Sequence, residues 1–275
     1  MKVLILGAKG NLGQVFVDLY KDHEVTAWDR DDLDIANEEM VAQKVKELAP
    51  ELIINCAAYN SVDKAEDDRD TADTVNGYAV GYLACVADEI GATMVQYSTG
   101  QVFDGNKSEG YNEDDKTQPV NAYGMSKRIG EVELDMKMDK FYLIRTCWLY
   151  GKPTAGKKSF TDIILDQAES GSPVQVVDDE FGNPTYVLDL AHATRALVEE
   201  NKPFGIYHLV NSGIASRYDW AREVASIINM QMDIVPVPGT TFPRKAKRPK
   251  YEVLNNTKFI ELRPWTEALR EYLNT

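Results

Sequence analysis

Through its first half the chain alternates short apolar runs with longer amphipathic ones, and this alternation restricts the fold more than any other feature. KVLIL (2–6), EVTAW (24–28), ELIIN (51–55), TMVQY (93–97) and FYLIR (141–145) are brief, rich in apolar and β-prone residues, and ended by polar or glycine residues. Each predicts a strand. Helical patterns occupy roughly 12–20, 37–48, 71–90 and 121–138. Strands separated by helices of this length connect through right-handed crossovers, which makes the sheet parallel and covers both of its faces. The expected class is α/β, built on a doubly wound parallel sheet.

After Tyr150 the rhythm breaks. GKPTAGKKSF (151–160) reads as a loop, 160–169 as a helix and VQVV (174–177) as a lone strand. A clean helix, LDLAHATRALVEE (188–200), and a strand, GIYHLV (205–210), then return to the main sheet. Helices near 218–229 and 265–273 flank the Pro-rich VPVPGTTFPRKAKRP (235–249), with no further βα repeat expected. This predicts a dinucleotide-binding domain of 1–150 plus 184–210, and a smaller α/β substrate-binding region of 151–183 plus 211–275.

With 44% hydrophobic residues, the 275-residue chain can bury a full core, which excludes a disordered polymer. Its formal charge of −14 argues against nucleic acid or an anionic membrane as partner, since both need a basic footprint. No apolar run reaches membrane-spanning length, and the start MKVLILGAKG reads as neither signal peptide nor anchor. Cys56, Cys85 and Cys147 are odd in number, far apart and in apolar or helical contexts, so they are expected to be reduced and buried, in the cytoplasm. His23, His192 and His208 show no metal-ligand spacing, so no metal is expected. The acidic run Glu66-Asp67-Asp68-Arg69-Asp70 reads as a solvated helix junction.

Gly7, Gly10 and Gly13 follow the first strand directly and open the first helix together with Asn11 and Leu12. Glycine permits the tight turn and lets backbone N–H groups approach a pyrophosphate at a helix N-terminus. Dinucleotide binding is therefore expected here. Asp29, 16 residues past Gly13, can take ribose hydroxyls, whereas Arg30 can hold a 2′-phosphate, which leaves NADH and NADPH both open. Asp34 and Ile35 are placed to reach the adenine. The small residues Cys56, Ala57 and Ala58, followed by Tyr59, would let the cofactor lie close to the sheet.

Ser98-Thr99 closes the fourth strand, and Tyr123 and Lys127 share one face of the next helix. An ammonium in that position can lower the phenol's pKa and bond the nicotinamide ribose, as proton transfer to a carbonyl requires. Thr99, at a strand's carboxyl end, can polarise the same oxygen.

Motifs along almost the whole chain then carry a resemblance: GAKGNLG, LDIAN, PELIINCAAYNSVDKAE, the Val75-Asn76 pair, the YST and VFDG pieces of 97–105, NAYGMSK, RTCWLYG, FGNPTY, GIYHLVN and Arg248-Pro249. The chain resembles the dTDP-4-dehydrorhamnose reductase family of extended short-chain dehydrogenases/reductases. That resemblance implies a Rossmann-like fold and an NADPH- or NADH-dependent reductase of a nucleotide-linked 4-keto-6-deoxy sugar. It places the catalytic trio on Thr99, Tyr123 and Lys127 and substrate contacts on Asn60, Val102, Phe103 and Trp148. A homodimer is compatible with it. Where the family usually reads Ser-Thr-Asp-Tyr-Val-Phe, this chain has Gly100-Gln101, so an acid and an aromatic beside the sugar are missing. Asn60-Ser61 is a smaller departure. A related reductase or epimerase of another sugar, or a non-catalytic subunit on the same fold, are the alternatives. The basic run Arg244, Lys245, Lys247, Arg248 and Lys250 stands out in an acidic chain, and Arg248 is expected to face the substrate's diphosphate.

Overall fold

The computed structural model describes residues 1–152, 158–170 and 173–274, giving the backbone alone for 168–170. Residues 153–157, within the loop expected over 151–160, lie outside the described residues. The five predicted strands are β1 (Lys2–Leu6), β2 (Glu24–Trp28), β3 (Leu52–Asn55), β4 (Thr93–Thr99) and β5 (Phe141–Thr146). With Gly205–His208 they form one parallel six-stranded sheet, ordered Gly205–His208, β5, β4, β3, β1, β2.

The pleat of β1 shows how the sequence divides the core. Val3 and Ile5 face one side with Phe16 of α1 (Asn11–Leu19) and Leu190. Leu4 and Leu6 face the other with Val41 and Val45 of α2 (Glu38–Leu48). Burial of both faces explains why β1, β3 and β5 are nearly continuous apolar runs rather than alternating ones, whereas β2, at the sheet edge, is only partly buried.

The single helix expected over 71–90 is three pieces: α3 (Arg69–Asp73), a π-helical turn (Thr74–Tyr78) and α4 (Ala79–Glu89). Next comes α5 (Ala122–Lys137), whose N-cap Asn121 accepts from Gly124 N–H at 2.7 Å. Beyond β5 lie α6 (Phe160–Ser170), α7 (Val187–Glu199), α8 (Arg217–Ile227) and α9 (Trp265–Asn274).

One expectation for the second half is corrected. Val174–Val177 is not alone: it pairs in parallel with Ile234–Val237, at the start of the Pro-rich stretch. A two-stranded ribbon leaves one edge of each strand unpaired, so Pro236 fits without costing a ladder bond. A three-stranded ribbon places Phe181–Gly182 between Ala215–Ser216 and Tyr251–Glu252. Its position brings Glu252 to the carboxyl end of β4.

Cysteine burial also differs from expectation. Cys147 is buried and Cys56 half-buried, but Cys85 is exposed on the outer face of α4. All three are free thiols.

Candidate active site

The turn after β1 shows why its glycines are there. Gly7 has φ +70°, and a Cβ on it would lie 2.7 Å from Ala57 N; one on Gly13 would lie 2.2 Å from Gly7 O. The turn is therefore drawn tightly against the end of β3. α1 begins at Gly10 with no side-chain cap and no acid in its first turn, leaving its positive end uncompensated. Within this cradle Asn11 Oδ1 is buried without a partner among the described residues. Asp29 accepts from Lys9 N–H at 3.0 Å and from Arg30 N–H at 2.8 Å, tying β2 to the glycine turn. Arg30 is exposed, 3.9 Å from Asp34, whose carboxylate accepts from Ala36 N–H. Ile35 is buried with Leu33 and Ile53, while Asn60 is exposed. An open helix end, an orphaned buried acceptor and a turn with no room for side chains fit the diphosphate and ribose of a dinucleotide.

Thr99, Tyr123 and Lys127 converge at the carboxyl ends of β4 and β5. The Lys127 ammonium donates to Tyr97 O at 3.0 Å, and burial pulls its pKa down to about 8 against the charge of Glu131. The Tyr123 phenol is not lowered as expected. Burial first, then the charge of Glu252, push it up, and only its hydrogen bond with Thr99 opposes them. At neutral pH it therefore keeps its proton.

Glu252, buried at 5% exposure, faces this group from the three-stranded ribbon. Its carboxylate accepts from Thr99 Oγ1–H at 3.3 Å and from Trp148 Nε1–H at 3.2 Å. Burial pushes its pKa up to about 7, against Arg217 and these two hydrogen bonds. Trp148 has a left-handed φ of +49° and lies under the Arg217 guanidinium, 3.9 Å from its ring centroid. By contrast, Val102 and Phe103 are fully enclosed. Phe103 stacks on Tyr111 at 4.2 Å, so both residues back the wall rather than line it, a correction to their expected contact with substrate.

The acidic run Glu66-Asp67-Asp68-Arg69-Asp70 is exposed and joins a 3-10 turn (Lys64–Glu66) to α3, the solvated junction expected, and acids in and just before it also reach across the fold. Asp63 accepts from Ala246 N–H at 3.0 Å and pairs with Arg248 at 2.7 Å; these partners outweigh its burial and hold its carboxyl below the usual range. Glu66 accepts from Ala122 N–H at the start of α5, Asp67 pairs with Lys245, and Asp68 accepts from Tyr59 O–H. The segment is a clamp between the α5 N-terminus and the basic loop. Asn121 completes it by donating to Gln101 Oε1 at 2.9 Å and to Lys247 O at 2.8 Å. Arg244, Lys247, Arg248 and Lys250 line a cleft of about 450 Å³ with Phe242 and Glu180.

Sequence reasoning missed three positions. Asn76, in the π-helical turn, exchanges hydrogen bonds with the Tyr59 backbone at 2.9 Å in both directions and donates to Ser126 Oγ. Its place in the Val75-Asn76 motif was a usable signal. Arg217 and Glu252 carried none, because a three-stranded ribbon, not a local spacing, delivers them.

The parallel sheet, the glycine turn and the paired Tyr123 and Lys127 define a dinucleotide-dependent oxidoreductase of the extended short-chain dehydrogenase/reductase class. The pattern of the family described as RmlD substrate binding domain matches residues 1–275, and the chain belongs to that family. It is 37% identical over 278 residues to the spore coat polysaccharide biosynthesis protein SpsK of Bacillus subtilis, covering 99% of this chain and 96% of that one. It is 35% identical over 291 residues to the dTDP-4-dehydrorhamnose reductase of Burkholderia thailandensis, covering 98% and 97%. The dTDP-4-dehydrorhamnose reductase of Bacillus anthracis, solved in complex with NADP, superposes with a TM-score of 0.95 at 34% identity, covering 99% and 98%.

Proposed function

We propose that this chain reduces the C4 keto group of a dTDP-linked 6-deoxy-4-keto sugar with NADPH or NADH, as a dTDP-4-dehydrorhamnose reductase. The observation that carries this reading is the convergence of Thr99, Tyr123 and Lys127 beside the glycine turn, in a chain similar end to end to such a reductase.

The cofactor, when bound, supplies hydride to the carbonyl carbon. Gly7, Gly10, Asn11, Leu12 and Gly13 would hold its diphosphate, Asp29 or Arg30 its adenosine ribose, and Asp34, Ile35 and Cys56 to Tyr59 its flanks. Tyr123, kept protonated by burial, donates its proton to the carbonyl oxygen as charge develops there. Lys127 anchors the nicotinamide ribose and stabilises the tyrosinate left behind. Thr99 Oγ1 polarises the oxygen. On the other wall Trp148 and Asn60 contact the sugar, while the basic cleft around Arg248 takes the substrate's diphosphate. The proposed division of labour assigns cofactor to 1–150 plus 184–210 and substrate to 151–183 plus 211–275.

No helix among the described residues is long and apolar enough to cross a membrane. The proposal places the enzyme in the cytoplasm, where three free thiols stay reduced, as a homodimer without a nucleic-acid partner. The deciding assay follows NADPH and NADH oxidation with dTDP-4-dehydrorhamnose generated in place. Consumption of either cofactor supports the reading, and none with both overturns it. If Arg248→Ala leaves KM for the sugar nucleotide unchanged, the basic cleft is not the diphosphate site.

A further inference from the structure

Glu252 stands at the reaction centre, and the chemistry above assigns it no task. It is nevertheless bound to two groups that the chemistry uses, Thr99 through Oε1 at 3.3 Å and Trp148 through Oε2 at 3.2 Å. Space for it is made in the 3-10 turn that follows β4: a Cβ on Gly100 would stand 2.7 Å from Glu252 Cγ, so a side chain does not fit at 100 while the glutamate holds this place. The charged and titratable groups around it come from four elements. Arg217 on α8 and Arg248 in the basic loop attract its charge, whereas Tyr123 on α5 and Cys147 after β5 are held protonated first by burial and then by that charge.

We propose that Glu252 is a positioning residue of the reduction: from the substrate-side ribbon it holds the Thr99 hydroxyl and the Trp148 indole, and it sets where the Thr99 hydrogen points. This rests on the reductase reading and deepens it. As a carboxylate, Glu252 accepts the Thr99 hydrogen, which turns it away from a substrate oxygen, and its charge opposes formation of tyrosinate. Once protonated, the acid can donate to Thr99 Oγ1, which frees the Thr99 hydrogen for the carbonyl oxygen. Glu252 loses no proton to product, since Tyr123 supplies that one. Reduction therefore slows as the pH rises through the titration of this acid.

The geometry dictates the test. Glu252→Gln keeps the shape and removes the charge change, so kcat should lose the alkaline decline that begins near neutral pH. Glu252→Ala should lower kcat at least tenfold, with a smaller change in KM. Gly100→Asp alone collides with Glu252 and should be as damaging. Combined with Glu252→Ala, it returns a carboxylate to the same space and should recover kcat to within threefold of the parent. Independently of turnover, the Trp148 emission, isolated by comparison with Trp148→Phe, should titrate near neutral pH in the parent and stay flat in Glu252→Gln. That titration needs no substrate, so a chain that shows it but reduces no sugar overturns the reductase reading and keeps the carboxyl at Trp148. Unchanged kcat and pH profile in both Glu252 variants, or a Glu252→Ala loss that the double variant does not reverse, would overturn the positioning role.

Discussion

Proton inventory at the centre of the site is set by burial more than by pairing. The Tyr123 phenol is held up, so it carries its proton at neutral pH, and the Lys127 ammonium is drawn down to about 8. A proton donor has to be loaded before hydride arrives, and a cation has to be present when the phenolate forms, so both protonated forms are required together. Above pH 8 the Lys127 charge is lost while Tyr123 stays protonated, and kcat/KM should fall there with a slope of about one proton. This decline should persist in Glu252→Gln, because a different group causes it. Tyr123→Phe should lower kcat by roughly 10²- to 10⁴-fold and leave the NADPH dissociation constant within threefold, as judged by equilibrium fluorescence. A Tyr123→Phe enzyme that turns over at the parental rate would remove the phenol from the reaction.

At the scale of elements, the site is held by how α5 begins. Its first turn is closed by Asn121 Oδ1 on Gly124 N–H and by Glu66 on Ala122 N–H, and the Asn121 amide reaches on to Gln101 and the basic loop. Asn121→Ala should cost about 1 kcal/mol from the lost cap. It should also raise KM for the sugar nucleotide more than KM for NADPH, because only the substrate-side loop loses its tether. Equal increases in both would mean that the cap acts on the helix alone. Elements of this kind were legible unequally. The inner strands of the first half could be read from the sequence because burial on both sheet faces writes itself as continuous apolar runs, whereas the π-helical turn that divides 71–90 left no such mark. Thr99, Tyr123 and Lys127 could be read for a related reason: strand ends and one helix face are local in sequence. Ile234–Val237 was hidden because Pro236 argues against a strand unless its partner is known. Gly100 and Gln101 looked like losses when taken alone. Their meaning lies in Glu252 and Asn121, reached across the fold, and no periodicity records a contact of that range.

Over the whole molecule the two proposed regions share one core. Val3, Ile5 and Tyr97 of the sheet belong to the same buried cluster as Trp220 of α8 and Leu269 of α9, and α7 lies between the two segments of the smaller region in sequence. The chain leaves the sheet after β5, returns for Gly205–His208 and leaves again, so neither proposed region is a continuous segment. Separate unfolding would expose the common cluster, and its apolar surface opposes that at roughly 25 cal/mol per Å². A single cooperative transition is therefore expected by calorimetry. NADPH, bound at the glycine turn in one region, should then move the entire transition. At a hundredfold excess over its dissociation constant the linkage contributes about 2.7 kcal/mol, which in a chain of this size corresponds to roughly 5 °C. Two transitions of which NADPH moves only one would show that the shared cluster does not couple the regions, and would make the smaller region an independently folding substrate module.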